Sequence, residues 1–268
     1  MAGNTSESGR STVGRVLAVL DVFAGGAESL RLTEIARLAG LPVPTALRMV
    51  RELVGWGGLE RQQDGSYRLG GRLWALGSLS PCLRRIRELA QPVLQDLHTR
   101  TGVTVLVAAL DGRSALLLDR LPGAAAASPP LRARVGGRLA LHATAAGRAL
   151  LAHAPEQLVR EVTAGLGAGT PRHTRHTLTA PGRLTQELAS VRADGIAYAR
   201  RETQLAYGAA AVPVLHPDGS VLAALGLVVP AAVEPARYAG PLRQAGLAMR
   251  AEVARSVAQE TGAAARPS

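Results

Sequence analysis

In the stretch "PVPTALRMVREL", Thr45, Arg48 and Arg51 carry groups that bind anions and base edges. An arginine fork pairs two N–H groups with a phosphate or with the major-groove edge of guanine, and a threonine hydroxyl bonds to either. Two prolines stand ahead of them, Pro42 and Pro44. Proline has no backbone N–H and breaks helix interiors, yet a first turn accepts it, because the amides there have no intrahelical partner. The stretch predicts a helix beginning near Pro42 and stiff at its tip. Ala46, Met49, Val50 and Leu53 turn inward, and Val43, Pro44, Thr45, Arg48 and Arg51 face outward. As chemistry, that outer face is a nucleic-acid contact whose tip offers apolar groups, suited to thymine methyls, in place of some polar ones.

Such a face needs other elements to hold it. Upstream, Val16, Leu17, Val19, Leu20 and Phe23 recur at helical spacing and end at Gly25-Gly26. A second helix is expected from Thr33, read as its N-cap, with Glu34 favouring the positive end. Ile35, Ala36, Leu38 and Ala39 form its inner face and Gly40 closes it. After Gly57-Gly58, "LERQQDGSYRLG" holds two short strand-like runs around Asp64-Gly65, a hairpin signal. Two short helices joined by a tight glycine turn and followed by a hairpin make a winged helix-turn-helix. Its first helix braces across the DNA backbone while the second enters a major groove about 12 Å wide. Arg61 and Arg68 on the hairpin are placed for phosphates. The candidate DNA-binding set is therefore Thr33, Val43, Pro44, Thr45, Arg48, Arg51, Arg61 and Arg68. An ordinary helical hairpin with solvated arginines is the plainer alternative, and the wing that follows weighs against it.

Residues 72–80 and 84–101 read as linker helices, the second interrupted or kinked at Pro92. Beyond them strands and helices alternate. Hairpins are expected around Asp111-Gly112 and Asp218-Gly219. "LALHATAAGRALLAH" reads as a small-residue helix, "GRLTQELASVRADG" as an amphipathic helix closed by Gly195, and 236–260 as a C-terminal helix. Stretches 123–130 and 167–177 are loops by composition, and residues 1–10 are polar and read as a disordered tail. The order fits an α+β domain with a central antiparallel sheet.

A chain of 268 residues suits two domains, and a hydrophobic fraction of 47% can fill their cores. The net charge of +11 points to an acidic partner such as nucleic acid. All 31 basic residues are arginine, which with the alanine and glycine load is the mark of a GC-rich coding sequence. Nine arginines against seven acids give residues 1–80 a charge of +2, while 22 against 13 give 81–268 a charge of +9. Bulk charge therefore does not pick out the DNA-contacting half. The single cysteine, Cys82, excludes an intrachain disulfide and a multi-cysteine metal site. The start is polar, and apolar runs such as "AALGLVV" at 223–229 are too short to span a bilayer, so a cytoplasmic protein without membrane partners is expected.

Other residues capable of chemistry carry less. His173 and His176 form an H-x-x-H pair, but in a Gly/Pro/Arg-rich loop without nearby carboxylates, so no metal is expected. His142 suits packing or capping. Arg84, Arg85 and Arg87 fit a solvated helix face better than a phosphate contact, and Cys82 alone says little about redox sensing. Gly165-Leu166-Gly167 lacks a strand–helix context, and no nucleophile elbow is present. No cofactor is expected.

In combination and order, "LTEIARLAGLPVPTALRMVREL", "DGSYRLGGRLWALGS", "GRLALHATAAGRALLA", "VRADGIA" and "AAVPV…DGSVLAALGL" resemble the IclR-type bacterial transcriptional regulators, over about residues 12–260. The resemblance implies a winged helix-turn-helix at 11–72, a linker and dimerisation segment at 73–101, a GAF-like effector domain at 102–262 and a tail at 263–268. It implies homodimers or dimers of dimers on palindromic operators in double-stranded DNA, controlled by small organic acids or aromatic metabolites, and no catalysis. Where the family usually has Lys-Ser-Thr after "GLP", this chain has Val43-Pro44-Thr45. The positions that line the family's pocket correspond to Leu131, Ala145, Ala146, Ala199, Tyr207, Ala209, Gly226 and Val228. Relatives that bind small acids often have an acidic run at Ala199-Arg200-Arg201-Glu202, cysteine at position 209 and serines at 226 and 228. Those polar groups are absent at Ala199, Ala209, Gly226 and Val228, so a larger or more apolar effector is expected. Two other readings stay open at this level: a sensor that has lost its ligand and acts as a scaffold, and a metabolite-binding or enzymatic module with a vestigial helix-turn-helix.

Overall fold

Helix α1 (Thr12–Asp21) starts where the Ser11 hydroxyl accepts from the Gly14 amide at 3.0 Å, and a 3-10 turn (Val22–Gly25) ends it. The computed structural model describes residues 11–124, 133–167 and 169–264. They fall into two units divided between Ser80 and Pro81.

In the first unit, helix α2 (Leu32–Ala39) begins earlier than expected: Arg31, not Thr33, is the N-cap residue, and Thr33 lies inside the first turn. The cause is Glu34, whose carboxylate accepts from the Arg31 amide at 2.8 Å and so fixes the start from the third position. Ile35, Ala36 and Ala39 are buried, whereas Leu38, expected inward, is 50% exposed. Gly40 closes the helix at φ +64°, three residues before α3 (Val43–Trp56). Pro42 is the α3 N-cap and Pro44 sits in its first turn. Ala46, Met49, Val50 and Leu53 are buried as expected, and most of them join Val19, Phe23, Ile35, Leu59 and Tyr67 in one core. The wing is the hairpin of β1 (Leu59–Arg61) and β2 (Tyr67–Leu69), its turn held by Asp64, which accepts from the Ser66 amide and hydroxyl. Leu30 pairs with Tyr67 through both backbone bonds and ties the wing to the helices. A Cβ at Gly70 would lie 2.2 Å from the Gly57 oxygen, so only glycine lets the wing close onto the end of α3. Helix α4 (Gly71–Ser78) follows.

In the second unit, α5 (Pro81–Thr101) runs continuously through Pro92, where an interruption or a kink was expected. Ile86, Ala90, Leu94 and Leu97 are buried along its face, and that packing over 21 residues outweighs the missing backbone bond. The sheet comprises β3 (Thr104–Asp111), β4 (Ser114–Leu121), β5 (Arg138–Ala140), β6 (Ala197–Arg200), β7 (Tyr207–Leu215) and β8 (Val221–Pro230). Their order is β5-β4-β3-β8-β7-β6, antiparallel throughout. Leu139 and Ala140, expected in a helix, form the edge strand β5. Helix α6 (Ala145–Leu151) starts only after Thr144, whose hydroxyl accepts from the Gly147 amide at 2.9 Å. Helices α7 (Glu156–Ala164) and α8 (Pro181–Asp194) precede β6, and α9 (Ala239–Ala264) is the last element described, extending past the expected helix end at 260. One sheet face packs on α5 and α9, and the other on α6 and α8. Among the described residues no helix is long and apolar enough to cross a membrane.

Candidate nucleic-acid interface and effector cavity

Helix α3 carries an outward stripe opposite its buried residues: Pro44, Arg48 and Arg51 recur at i, i+4 and i+7 and are exposed. Beside Pro44, Val43 is 43% exposed, while Thr45 is half-buried. Arg48, Arg51 and, on the wing, Arg61 are exposed and make no ion pair among the described residues. Thr33 is exposed in the first turn of α2. Arg68 is engaged within the wing, where Glu60 across the hairpin takes its guanidinium at 2.7 and 2.9 Å. Arg68 and the Gly71 amide hold the Glu60 carboxyl below the usual carboxylate range. Arg72 is likewise engaged, 5.0 Å over the Trp56 ring.

In the second unit, Ala145, Ala146, Ala199, Tyr207, Ala209, Gly226 and Val228 border one cavity of about 370 Å³; Leu131 lies outside the described residues. The sheet register explains how distant positions meet. Ala199 pairs with Ala209 and Ala209 with Val228, and two residues along, Ala211 pairs with Gly226 and Gly226 with Leu106. Side chains two apart share a face, so Ala199, Ala209, Val228, Gly226 and Leu106 from these rows make an apolar floor, with α6 as the opposite wall.

Polar groups stand at the margins. The Tyr207 hydroxyl is buried and has no hydrogen-bond partner among the described residues. Arg138 borders the cavity but is engaged by Asp111 at 2.7 Å and by the Ser114 hydroxyl. Glu202 borders it as well and is ion-paired to Arg148, a buried α6 residue that also donates to the carbonyls of His142 and Tyr198, each at 2.8 Å. Desolvation pushes the Glu202 carboxyl up, against the pull of Arg148. The Glu202 carbonyl accepts from the Thr177 hydroxyl at 2.7 Å and the Arg201 carbonyl from that of Thr174 at 2.7 Å. These bonds fasten the 171–178 loop to the turn after β6, where Arg201 adopts a left-handed φ of +59°. That loop brings His173 to the cavity, stacked on His142 with ring centroids 6.5 Å apart. Among the described residues no three His, Cys, Asp or Glu side chains form a metal-binding group.

Sequence reasoning missed Arg138, Arg148, Glu202 and the cavity role of His173. A signal for Arg148 existed: it is the single charged residue in "ATAAGRALLA", a run too apolar for a surface helix, and an arginine buried there needs a carboxylate. His173 carried no such signal, since its position depends on hydroxyl contacts between two loops.

A winged helix-turn-helix joined to a curled-sheet domain with a ligand-sized cavity defines a ligand-responsive DNA-binding regulator. Two family models match the chain: the IclR helix-turn-helix domain over residues 12–63 and the bacterial transcriptional regulator IclR C-terminal domain over 83–256. The chain belongs to the IclR family of bacterial transcriptional regulators. It is 33% identical over 243 residues to the HTH-type transcriptional regulator XynR of Escherichia coli, covering 89% of this chain and 95% of that one. It is 29% identical to the E. coli transcriptional repressor IclR over 194 residues, 71% of this chain and 69% of that one. Among solved structures it resembles an IclR homolog from Microbacterium hydrocarbonoxydans complexed with 4-hydroxybenzoate, with a TM-score of 0.81, 33% identity, and coverage of 91% of this chain and 100% of that one. It is thus a regulator with a DNA-binding helix-turn-helix and a C-terminal ligand-binding domain.

Proposed function

We propose that the cavity takes an aromatic or otherwise largely apolar effector, and that its occupancy changes the affinity of a homodimer for a palindromic operator. The observation that carries the effector class is the lining. The floor is alanine, glycine, valine and leucine, Thr144, His173, Thr203 and Gln204 add polar groups to the lining, the two charged side chains named above are already paired, and one buried hydroxyl, that of Tyr207, is unpaired among the described residues. A two- or three-carbon oxoacid finds no unpaired arginine there for its carboxylate. A ring packs against the floor and a polar substituent satisfies Tyr207, the combination that favours burial. The Microbacterium relative's complex with 4-hydroxybenzoate supports the same class. The effector acts by linkage, through different affinities for two arrangements of the dimer, without being turned over.

On the DNA side, the reading assigns base contacts to the α3 stripe and phosphate contacts to Arg61 and Thr33. Homodimer formation is supported by exposed apolar side chains. Helix α4 has no buried residue and leaves Trp74 and Leu76 at 75 and 52% exposure, its C-cap Leu79 is 68% exposed, and α1 leaves Val13 and Leu17, one turn apart, at 67 and 54%. The site of action is the cytoplasm, where the operator is.

The test combines two measurements on the full chain. Selection of bound genomic fragments at about 150 mM salt, where non-specific phosphate binding is weak, is expected to enrich a palindromic site. Calorimetry is expected to give heat with benzoate-sized aromatic compounds and none with glyoxylate or pyruvate; the reverse order overturns the effector class, and conversion of the compound overturns the non-catalytic reading.

A further inference from the structure

We propose that Val43 and Pro44 read the C5-methyl groups of thymines, so that the tip of α3 selects T·A pairs by apolar contact and not by hydrogen bonding. The inference rests on the DNA-binding reading above. In a helix-turn-helix the first residues of the second helix meet the base edges. Here those residues are Val43 and Pro44, both exposed and outside the core that the rest of α3 helps to form. Their side chains have no donor or acceptor. Pro44 also lacks a backbone N–H, so the tip offers fewer donors than an ordinary helix start.

A polar base edge placed against this tip would lose its water and gain no partner. The apolar feature of the major groove is the thymine methyl. The neighbours on the stripe say why the occupant is DNA and not an apolar protein surface. Arg48 and Arg51 lie about 6 and 10 Å further along the helix from Pro44, exposed and without ion-pair partners among the described residues. An apolar tip followed by two free guanidiniums matches thymine methyls followed by guanine or phosphate oxygens.

The test uses the full chain and the site it selects from genomic DNA. Each thymine of that site is replaced in turn by deoxyuridine, which keeps every hydrogen-bonding group and removes only the methyl. One or two thymines per half-site are expected to weaken binding roughly fourfold when demethylated, the worth of one buried methyl. That loss is expected to vanish in Val43→Ser or Pro44→Ser, which should bind the thymine and deoxyuridine sites alike. If no thymine responds while the wild-type protein still holds its site, the proposal is overturned and the DNA-binding reading survives. A deoxyuridine effect that persists in both variants also overturns it, since another group then reads the methyl. If no site is selected at all, the DNA-binding reading fails and this inference falls with it.

Discussion

Arg148, on α6, and Glu202, after β6, form an ion pair in the wall of the cavity, their side chains 2 and 11% exposed. Glu187 approaches the same guanidinium at 3.8 Å from α8. The pair therefore joins the helix that walls the cavity to the turn that fastens its loop.

A buried pair adds little over a well-packed apolar pair, but losing one partner strands a charge at a cost of about 3–5 kcal/mol. Arg148→Ala should lower the unfolding free energy by that order, read by denaturant titration of the full chain. The double variant Arg148→Met with Glu202→Leu should recover most of the loss. Equal losses in the single and the double would mean that α6 packing, not the charge, is what Arg148 supplies.

Histidine burial sets a pH dependence. His142 is held below the ordinary histidine value of 6.5 by desolvation, then by His173 and Arg148, and His153 by desolvation, then by Arg192 and Arg250. Both Nε2 atoms lack a hydrogen-bond partner among the described residues. The unfolded chain thus takes up protons near 6.5 that the folded chain refuses, so stability falls as pH drops below 6.5 and levels off below the folded values. Melting temperatures between pH 7.5 and 5 should show this decline, and His142→Asn should make it shallower. An unchanged slope would place the proton uptake elsewhere.

Much of this was legible because it is local. The α3 core pattern, the wing turn at Asp64-Gly65 and the helix end at Gly195 follow from periodicity and turn chemistry, and each forms where expected. What escaped depends on partners far along the chain. Strand β5 exists because β4 offers it an edge, α5 survives Pro92 because a sheet lies beneath it, and Arg148 finds its carboxylate 54 residues away. The α2 start was misread for a subtler reason: Thr33 has the better cap side chain, but Glu34 reaches back to Arg31 and settles the matter two residues earlier.

The exposure of Trp74 makes a quantitative case about assembly. A tryptophan at 75% exposure on a helix with no buried residue is a natural anchor for an interface, and such anchors cost about 2 kcal/mol or more on removal. Trp74→Glu should therefore weaken self-association by roughly 30-fold or more, measured by sedimentation equilibrium. The circular dichroism of the variant should match wild type, since nothing in the core rests on the side chain. A dimer of unaltered strength would move the interface away from α4.

Arg48 and Arg61 are both exposed arginines without an ion pair among the described residues, yet their positions assign them different work. Arg48 lies on the α3 stripe, where a guanidinium can fork onto guanine, while Arg61 lies on the wing, beside the groove in this kind of motif. Arg48→Ala should cost about 1–3 kcal/mol on the selected operator, relax the preference at one base pair per half-site and leave binding to unrelated DNA nearly unchanged. Arg61→Ala should weaken binding to all sequences alike and reduce the slope of log affinity against log salt by about 1. Titrations of operator and scrambled duplexes at several salt concentrations separate the two. If Arg48→Ala lowers both affinities equally and flattens the salt slope, then Arg48 is a phosphate clamp, and base selection by α3 falls to Thr45, Arg51 and the apolar tip.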